Sequence, residues 1–589
     1  MMRQGKKKWL QSLPSSTQAC MAMAAAAVFG MCGSADAFEV NTGNEDVVIN
    51  WDNTLRYTLA QRLKGQSKDI VNSVNHNDGD HNFDVGIVSS RLDLLSEMDV
   101  VYKKNYGVRL SGAGWYDPVY KEKSYSSNYA VPNHFVNGAP SAGLNSATER
   151  QFGGPDAELL DAFAFAKFDV GSTAVGVRAG RHTIYWGEAF FPGAGNNGIS
   201  YGQSPIDMAK ALSMPGVELK EIFRPLNQVS MTVQPTKDII IAGQYYLQWE
   251  ANKFPEGGSY LGMIDGLMNN GEAYWFPWLG TPGGAPAGPA FNAGDRKPKN
   301  SGDWGLKVAY SPEALGATIG LHYRNFSDKM PQVLSSRSLQ DVYPGAPVPP
   351  LPANFYYDYK SNIQLYGISF AKSIQGISVG SELSYRKNMP LTSQWFAPEG
   401  ARGDTMHAVV NFLTLLPKTP VFDTGSAILE FSYGRWNKVT SGAQYFTGMA
   451  GEGLFPALGP VNQGVGAATR DNSVVTVNFV PEWKQVLPGV DLAMPINFSM
   501  GMHGNSATLT GGTKGTGSYS AGLSFDVFAK YKVDLTYASF FGNVHPGDDG
   551  QIVPPGFEST SQGRGRGASD AIALLRDRDL LSLTLKASF

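Results

Sequence analysis

Residues 83–102 carry two alternating faces over a run long enough for a β-strand to cross a membrane. Between residues 91 and 100 the charged side chains share one parity, and most side chains of the other parity are apolar. The charged face contains Arg91, Asp93, Glu97 and Asp99, and the apolar face contains Leu92, Leu94, Met98 and Val100. A cationic side chain in the middle of a bilayer costs about 2–4 kcal/mol, so the charged face of a spanning strand must meet water. The pattern predicts a strand placed between lipid and a wet interior.

The end of the chain shows the same alternation. Residues 580–589 read LLSLTLKASF, in which apolar residues at odd positions alternate with polar residues at even ones. The terminal Phe589 resembles the closing aromatic residue of bacterial outer-membrane barrels, which the barrel-assembly machinery reads. We therefore expect that machinery and outer-membrane lipid as partners. For this segment alone, an edge strand of a soluble β-protein is the alternative.

The first residues are typical of an exported protein. A basic start is followed by an apolar run over about 19–31 and by Ala35-Asp36-Ala37, a small-residue cleavage pattern. We expect a secretory signal peptide over residues 1–37, cleaved near Ala37. Both cysteines, Cys20 and Cys32, lie within it, so the mature chain is expected to hold no disulfide. A net charge of −3 at pH 7 gives no reason to expect nucleic acid as a partner.

Short turns and long Gly/Pro-rich connections alternate along the rest of the chain. This is the pattern of outer-membrane barrels, with short periplasmic turns and long extracellular loops. Counting the segments between them predicts about 18 strands, with about 16 as the next best count. The fold class expected is all-β: a closed transmembrane antiparallel β-barrel over residues 38–589, with both termini in the periplasm. Two of the predicted strands are 174–186 and 217–234.

One connection, residues 187–216, contains a predicted short helix. Ser204 is expected to cap a helix over Pro205 to Leu212, with Asp207 completing an S-x-x-D box. A helix inside an otherwise all-β chain favours a loop folded inward as a constriction. The alternative is a surface loop with one helical turn.

Three groups of residues are candidates for function. The first is expected to line the constriction and contains Arg178, His182, Trp186, Glu188, Asp207 and Lys210. The second is a mixed-charge patch of the lumen wall and contains Arg91, Asp93, Glu97, Asp99 and Arg109. For both, the alternative is ion-paired packing that stiffens the wall. The third group, Tyr274, Trp275 and Phe276, is predicted to contact an apolar ligand or an external surface.

The sequence predicts neither an enzyme nor a cofactor or metal site. It has no H-E-x-x-H, P-loop or Cys-His zinc pattern. A hydrolase in the barrel that uses His182 or His322 as a base is the alternative.

Three segments carry a resemblance to a known family: GRHTIYWGEAFF, SPIDMAKAL and PGVELKEIFRPLN. In this order they resemble the proteobacterial outer-membrane family catalogued as domain of unknown function 1302, over nearly the whole mature chain. The family usually has Asn-Pro where this chain has Ser204-Pro205. The resemblance implies the outer membrane of a Gram-negative bacterium, and neighbours that include a periplasmic lipid-carrier-like protein and an exporter.

The function expected is a channel for passive passage of small, hydrophobic or amphipathic molecules. The alternative is a surface-exposed structural or adhesive barrel with aromatic loops.

Overall fold

The computed structural model describes most of the chain after the expected signal peptide. The described residues are 38–39, 42–122, 133–141, 143–191, 196–213, 219–267, 271–278, 287–336, 353–449, 464–558 and 563–589. Residues 1–37 lie outside them, so the signal peptide stays a prediction.

Eighteen antiparallel strands form one closed barrel, as the spacing of turns and loops predicts. The strands are β1 Val47–Arg62, β2 Gly86–Tyr102, β3 Tyr106–Tyr116, β4 Asp156–Val170, β5 Thr173–His182, β6 Leu226–Thr236, β7 Ile239–Tyr246, β8 Trp304–Tyr310, β9 Ala317–Phe326, β10 Ile363–Ile374, β11 Ile377–Pro390, β12 Arg402–Leu416, β13 Thr424–Ser441, β14 Asp471–Leu487, β15 Val490–Ala493 with Ile496–His503, β16 Gly517–Val527, β17 Tyr531–Phe541 and β18 Leu580–Ser588. Both parts of β15 pair with β14 and β16, so we count them as one strand of the barrel.

The barrel closes where its first strand meets its last. Strand β1 pairs with β18 from Thr54 opposite Ser588 to Arg62 opposite Leu580. The backbone of Phe589 continues this ladder through two hydrogen bonds with Asn53, of 2.7 and 2.9 Å. Because closure pairs the outer edges, the sheet leaves no open strand edge in the bilayer.

Side chains alternate between an apolar outer face and a polar inner face. On neighbouring strands β9, β10 and β11, Leu321, Ile368 and Leu383 point outward and are 56%, 45% and 46% exposed. On β9 and β11, Arg324 and Arg386 point inward and are completely buried. Outward side chains of this kind are suited to lipid, and inward charges to a polar interior. The fold is therefore a transmembrane barrel.

The described parts of the long connections at one end of the barrel pack together as a cap. We define the cap as the described residues within 63–85, 117–155, 247–303, 327–362, 391–401, 442–470, 504–516 and 542–579. Its helical segments are Lys68–Val71, Asp78–Asn82, Pro118–Glu122, Ser146–Thr148, Glu149–Gly153, Ala443–Tyr445 and Ile572–Leu575. Its strands are Phe135–Val136, Ala139–Pro140, Ala273–Phe276, Ala287–Arg296, Gln332–Leu334, Asn354–Asp358, Val544–His545 and Gly567–Ala568. A hydrophobic core that includes Phe83, Tyr260, Phe355 and Phe557 holds these connections together.

Two predicted strands are too long. Strand β5 ends at His182 and β6 begins at Leu226. The backbone after His182 leaves the sheet because lumenal side chains, and not a neighbouring strand, satisfy its hydrogen bonds: the N–H of Trp186, for example, donates to Gln203 Oε1 at 2.8 Å. We call residues 183–225 the inward loop; its helices are Met208–Ser213 and Leu219–Ile222.

No described helix has both the length and the apolar character that a bilayer-crossing helix needs.

A matched pair of substitutions tests the two faces. Leu535 on β17 points outward, whereas the adjacent Thr536 points inward. We expect Leu535→Arg to destabilise the barrel by about 2–4 kcal/mol, because a cation then lies among lipid tails, and Thr536→Arg to cost much less. Urea titration of the protein in vesicles, followed by gel mobility without heating, measures both. Equal losses would contradict the assigned faces.

Candidate functional site: a lumenal cavity beneath the inward loop

Buried arginines of the barrel wall hold the inward loop inside the lumen. Arg324 on β9 donates to the carbonyl oxygens of Ile199 and Tyr201, at 3.0 and 2.6 Å. Arg386 on β11 donates to two more carbonyl oxygens of the loop, both at 2.8 Å. The loop starts at β5 and is anchored six strands away at β11. It therefore crosses the interior of the barrel instead of lying on its rim.

Two lumenal carboxylates bind the backbone N–H groups of the same loop. Glu382 on β11 accepts from Glu188, from Ala189 at 2.6 Å and from Ile199 at 2.5 Å. Glu430 on β13 accepts from the backbone N–H groups of Phe190 and Phe191, at 2.7 and 3.3 Å. Hydrogen bonds to an ionised acceptor are among the stronger ones in proteins.

The approach of the loop to this wall depends on a glycine. Gly187 has a φ of +111°, and a Cβ atom built on it would lie 2.7 Å from Glu382 Oε1. Any other residue would be strained in this backbone conformation and would push the carboxylate away.

An apolar cluster completes the seat of the loop. Trp186, Ile199 and Tyr201 of the loop pack against wall residues that include Phe326 and Leu365. The loop is thus held by both charged hydrogen bonds and hydrophobic packing.

The helix of the inward loop begins later than the sequence predicts. It spans Met208–Ser213, and Asp207 Oδ1, not Ser204, accepts from a helix N–H, that of Lys210 at 3.0 Å. The preceding Ile206 is instead held in an extended conformation by a bridge to Phe223 and by an N–H bond to Asn252 Oδ1 at 2.9 Å. Tertiary pairing therefore overrides the S-x-x-D pattern.

Asp207 and Lys210 are buried in ion pairs. Lys210 binds Glu158 on β4, and Asp207 lies 3.8 Å from the amino group of Lys253. The two residues are 1% and 8% exposed. They fasten the returning half of the loop to the wall and do not line the cavity described next.

A cavity of about 1490 Å³ fills the lumen beneath the inward loop. It extends to the short-turn end of the barrel, where Glu313 in the β8–β9 turn belongs to its lining. Six of the eleven residues predicted for the lumen line it: Asp99, Arg109, Arg178, His182, Trp186 and Glu188. Trp186 does so from the inward loop, since it lies beyond the end of β5.

Three residues of the mixed-charge patch, Glu97, Asp99 and Arg109, form an ion-pair network, the alternative that the sequence left open. Arg109 Nη2 and Nη1 each lie 2.5 Å from carboxylate oxygens, of Glu97 and Asp99, and its Nε lies 3.4 Å from Asp161. One cation thus binds three acids, so the network fixes these side chains and leaves this part of the wall with a net negative formal charge.

Arg91 and Asp93 belong to a second network, away from the cavity. Arg91 lies 2.9 Å from Asp93, which in turn lies 3.8 Å from Arg56 on β1. Arg56 binds Glu221 of the inward loop at 3.0 Å. This network joins the short helix Leu219–Ile222 to the barrel wall.

His182 makes a contact that its sequence position does not indicate. Its Nε2 lies 2.8 Å from Ser230 Oγ on β6, and its Nδ1 lies 3.0 Å from the carbonyl oxygen of Gly180. The pair has the spacing of a nucleophile and a base, but a backbone carbonyl stands where a triad has its carboxylate. His322 pairs with Ser369 at 3.2 Å and is likewise buried.

The aromatic run of the long loop lies in the cap. Tyr274 and Phe276 are fully buried and pack on Phe396, at ring-centroid distances of 5.3 and 5.1 Å. Trp275 lies between them on the same strand and is partly exposed. The predicted ligand contact stays a prediction, and packing of the cap core accounts for two of the three rings.

Several site residues were missed by the sequence reasoning. They are Glu382, Arg386 and Glu430, which hold the loop, and Phe163, Phe165 and Ser230, which line the cavity. Strand parity was the available signal, because Glu382 and Arg386 occupy the polar face of β11. Parity shows which side chains face the lumen, but it does not show which of them meet a loop.

Buried carboxyl groups in the cap have displaced pKa values. Burial raises the pKa of Glu558 to about 7, against the opposing effect of Arg564. Burial also raises the pKa of Asp78 to about 6, and it raises that of Asp265, which faces Asp78, still further above its ordinary range. These groups favour their protonated forms in the folded cap.

A closed barrel with an apolar outer surface, an inward loop and a lumenal cavity defines a porin-like transmembrane protein. The chain belongs to the family described as Protein of unknown function (DUF1302), whose model matches residues 19–589. This confirms the resemblance seen in the sequence. A search of curated proteins finds no match.

Three solved structures that resemble the chain at low sequence identity align over nearly all of it. OccAB1 of Acinetobacter baumannii is 10% identical and aligns over 94% of this chain and 99% of its own, with a TM-score of 0.40. OccAB2 of the same organism is 9% identical over 94% and 99%, with a TM-score of 0.37. OpdK of Pseudomonas aeruginosa with vanillate is 10% identical over 92% and 99%, with a TM-score of 0.36.

Removing the Glu382 carboxylate is expected to loosen the inward loop. Glu382→Ala leaves three backbone N–H groups of the loop without their acceptor, at about 1.5–3 kcal/mol for each charged hydrogen bond. We expect amide exchange in residues 187–203 to become at least roughly tenfold faster, while the strands stay protected. Ser381→Ala, on the outward face of the same strand, is the control. Unchanged exchange would show that the carboxylate does not hold the loop.

The cap is expected to be more stable near pH 5 than near pH 8. The folded pKa of Glu558, about 7, lies above its ordinary value of 4.5, so the folded state binds more protons between these values. Its contribution is therefore present at low pH and is lost as pH rises toward 7. Exchange of residues 542–558, corrected for intrinsic rates, should show this. Glu558→Gln should flatten the dependence, whereas Glu399→Gln, an exposed acid of the cap, should not.

Proposed function

We propose that this protein is a channel in the outer membrane of a Gram-negative bacterium and that small amphipathic molecules pass through it passively. The observation that carries the proposal is the cavity of about 1490 Å³ inside a closed barrel. A volume of this size exceeds the range of about 300–1,000 Å³ usual for small-molecule sites. In this proposal the short-turn end of the barrel, where the cavity opens, faces the periplasm, as short turns do in outer-membrane barrels.

The inward loop acts as the constriction in this proposal. It crosses the lumen between the cavity and the cap, so a solute that moves between the two ends must pass it. Its backbone is held by side chains of the wall, principally Arg324, Glu382, Arg386 and Glu430. These contacts are discrete hydrogen bonds, so a modest displacement of the loop would widen the passage without unfolding the barrel.

The character of the cavity wall supports an amphipathic solute. Aromatic rings from the wall and from the inward loop share the lining with polar and charged groups. The rings are those of Phe163, Phe165, Tyr185, Trp186, Phe190 and Phe223. So many aromatic rings are not expected in a purely hydrophilic channel, and charged residues such as Arg178 and Glu188 are not expected in a purely apolar pocket.

Two other functions, a hydrolase and an adhesive barrel, predict different experimental results. A hydrolase would use Ser230 and His182, so ester turnover that disappears in Ser230→Ala would replace the channel with an enzyme. An adhesive barrel would bind a partner through the cap and would show no solute pathway.

Planar-bilayer recording tests the channel. We expect purified wild-type protein to insert and to conduct, and Arg324→Ala/Arg386→Ala to conduct at least about twofold more, because the loop then loses four carbonyl contacts. Lys532→Ala, which removes a lumenal cation on β17 that is remote from the loop, is the control. Inserted protein that stays silent in both the wild type and the double variant would end the proposal.

A further inference from the structure

We propose that the cavity contains a binding site for a carboxylate that carries a compact apolar or aromatic body, and that Arg178 receives the carboxylate. This deepens the proposed function by naming the class of solute, and its role in passage rests on that function. Binding itself depends only on the cavity.

Arg178 is the first part of the site. It lies on β5, is exposed and lines the cavity. Among the residues that the structure describes, none forms a hydrogen bond or ion pair with its guanidinium. A guanidinium presents a planar fork of donors that matches the two oxygens of a carboxylate.

The lining carries four cations and four acids, but ion pairing leaves more of its cations than of its acids without a partner. The acids Asp99 and Asp161 are bound by Arg109, and Glu313 is bound by Lys237 at 3.0 Å. Within the described ranges, the lining residues left without an ion pair are three cations, Lys167, Arg178 and Lys372, and one acid, Glu188. Glu188 lies on the inward loop beside Gly380 and Asn411 of β11 and β12, whereas Arg178 lies on β5.

An apolar shelf lies directly beside the guanidinium. Phe165 on β4 is opposite Arg178 in the strand register, and the ring of Phe163 is 5.7 Å from the Arg178 Cζ atom. Gly107 on β3 gives the shelf its room, because a Cβ atom there would lie 2.6 Å from the Phe165 ring. The two rings are 6.5 Å apart.

In the middle of β4 the side chains are placed in reverse of what lipid contact alone would favour. The outward positions there are Ala162, Ala164 and Ala166, while Phe163 and Phe165 face the lumen. Elsewhere on the strand, Leu159 and Phe168 face outward and are 52% and 41% exposed. In a barrel wall, large apolar residues usually face lipid and polar residues face the lumen. Two lumenal rings beside a free cation therefore point to a ligand with an apolar part.

The neighbouring strand β6 and the inward loop supply further partners. Ser230 on β6 is opposite Arg178 in the register and lines the cavity. Tyr185 and Phe190 of the inward loop are 41% and 37% exposed and line the same space. A carboxylate at Arg178 would place its apolar body between the shelf and these rings.

Titration calorimetry on the full mature protein in detergent tests the site. The probe is 4-phenylbutyrate, compared with its neutral isostere 4-phenylbutanol and its cationic isostere 4-phenylbutylamine. We expect the carboxylate to bind at least about tenfold more tightly than the alcohol, and the amine to bind most weakly. Arg178→Gln should lower the affinity for the carboxylate to that for the alcohol. Arg178→Lys should retain part of the preference for the carboxylate.

Two further variants test whether binding depends on Arg178 in particular and whether the apolar shelf contributes to it. Lys372→Gln removes another unpaired cation of the cavity and should change carboxylate affinity by less than about twofold. Phe165→Ala should weaken binding of the carboxylate and of the alcohol by similar factors. Unheated gel mobility confirms that each variant remains a folded barrel.

Equal affinity for the carboxylate and the alcohol would overturn the proposal, as would a loss in Lys372→Gln as large as that in Arg178→Gln. Failure of the channel is recognised separately. If the probe binds through Arg178 but bilayers show no current, the binding site is supported and the channel function is contradicted. If bilayers conduct but the carboxylate shows no preference, the channel stands and the site falls.

Discussion

Closure of the barrel is the constraint on which the rest of the structure depends. Lipid tails offer no hydrogen-bond partners, so every backbone group of a spanning strand must be paired within the sheet. Pairing of β1 with β18 achieves this and creates an interior separated from lipid. Charged residues such as Arg324 and Glu382 are tolerated in spanning strands only because that interior exists. The inward loop, the cavity and the cap all occupy space that closure provides.

Inside the barrel, charge is used mainly for position. Arg386 and Glu382 lie on the same face of β11 but bind opposite groups of the inward loop: Arg386 binds carbonyl oxygens and Glu382 binds N–H groups. Arg109 is bound by three carboxylates, and Lys210 by Glu158. Since a buried charge without a partner is costly, these residues are committed to structure. Arg178 differs because it faces open space within the described part of the chain.

Strand alternation made much of the fold predictable. The parity of Arg91 against Leu92 and the alternation of short turns with long loops predicted the barrel, its strand count and the lumenal side of candidates on strands, such as Arg109 and Arg178. The errors lie where a loop meets the wall. The helix after Ser204 starts late because Ile206 pairs with Phe223, and Trp186 leaves β5 because its N–H bonds Gln203. Such contacts join residues distant in sequence, so a local pattern cannot reveal them.

The sequence by itself determined that the chain forms a closed barrel, because period-two alternation leaves one face for lipid and one for water. It also identified Arg178, His182 and Glu188 as lumenal residues. Only the tertiary structure decided that the loop after β5 crosses the lumen, that Asp207 and Lys210 are buried away from the cavity, and that Phe163 and Phe165 lie beside Arg178. The reason is physical: a residue's face follows from its neighbours in the chain, whereas its partners across the lumen depend on how eighteen strands and their loops pack together.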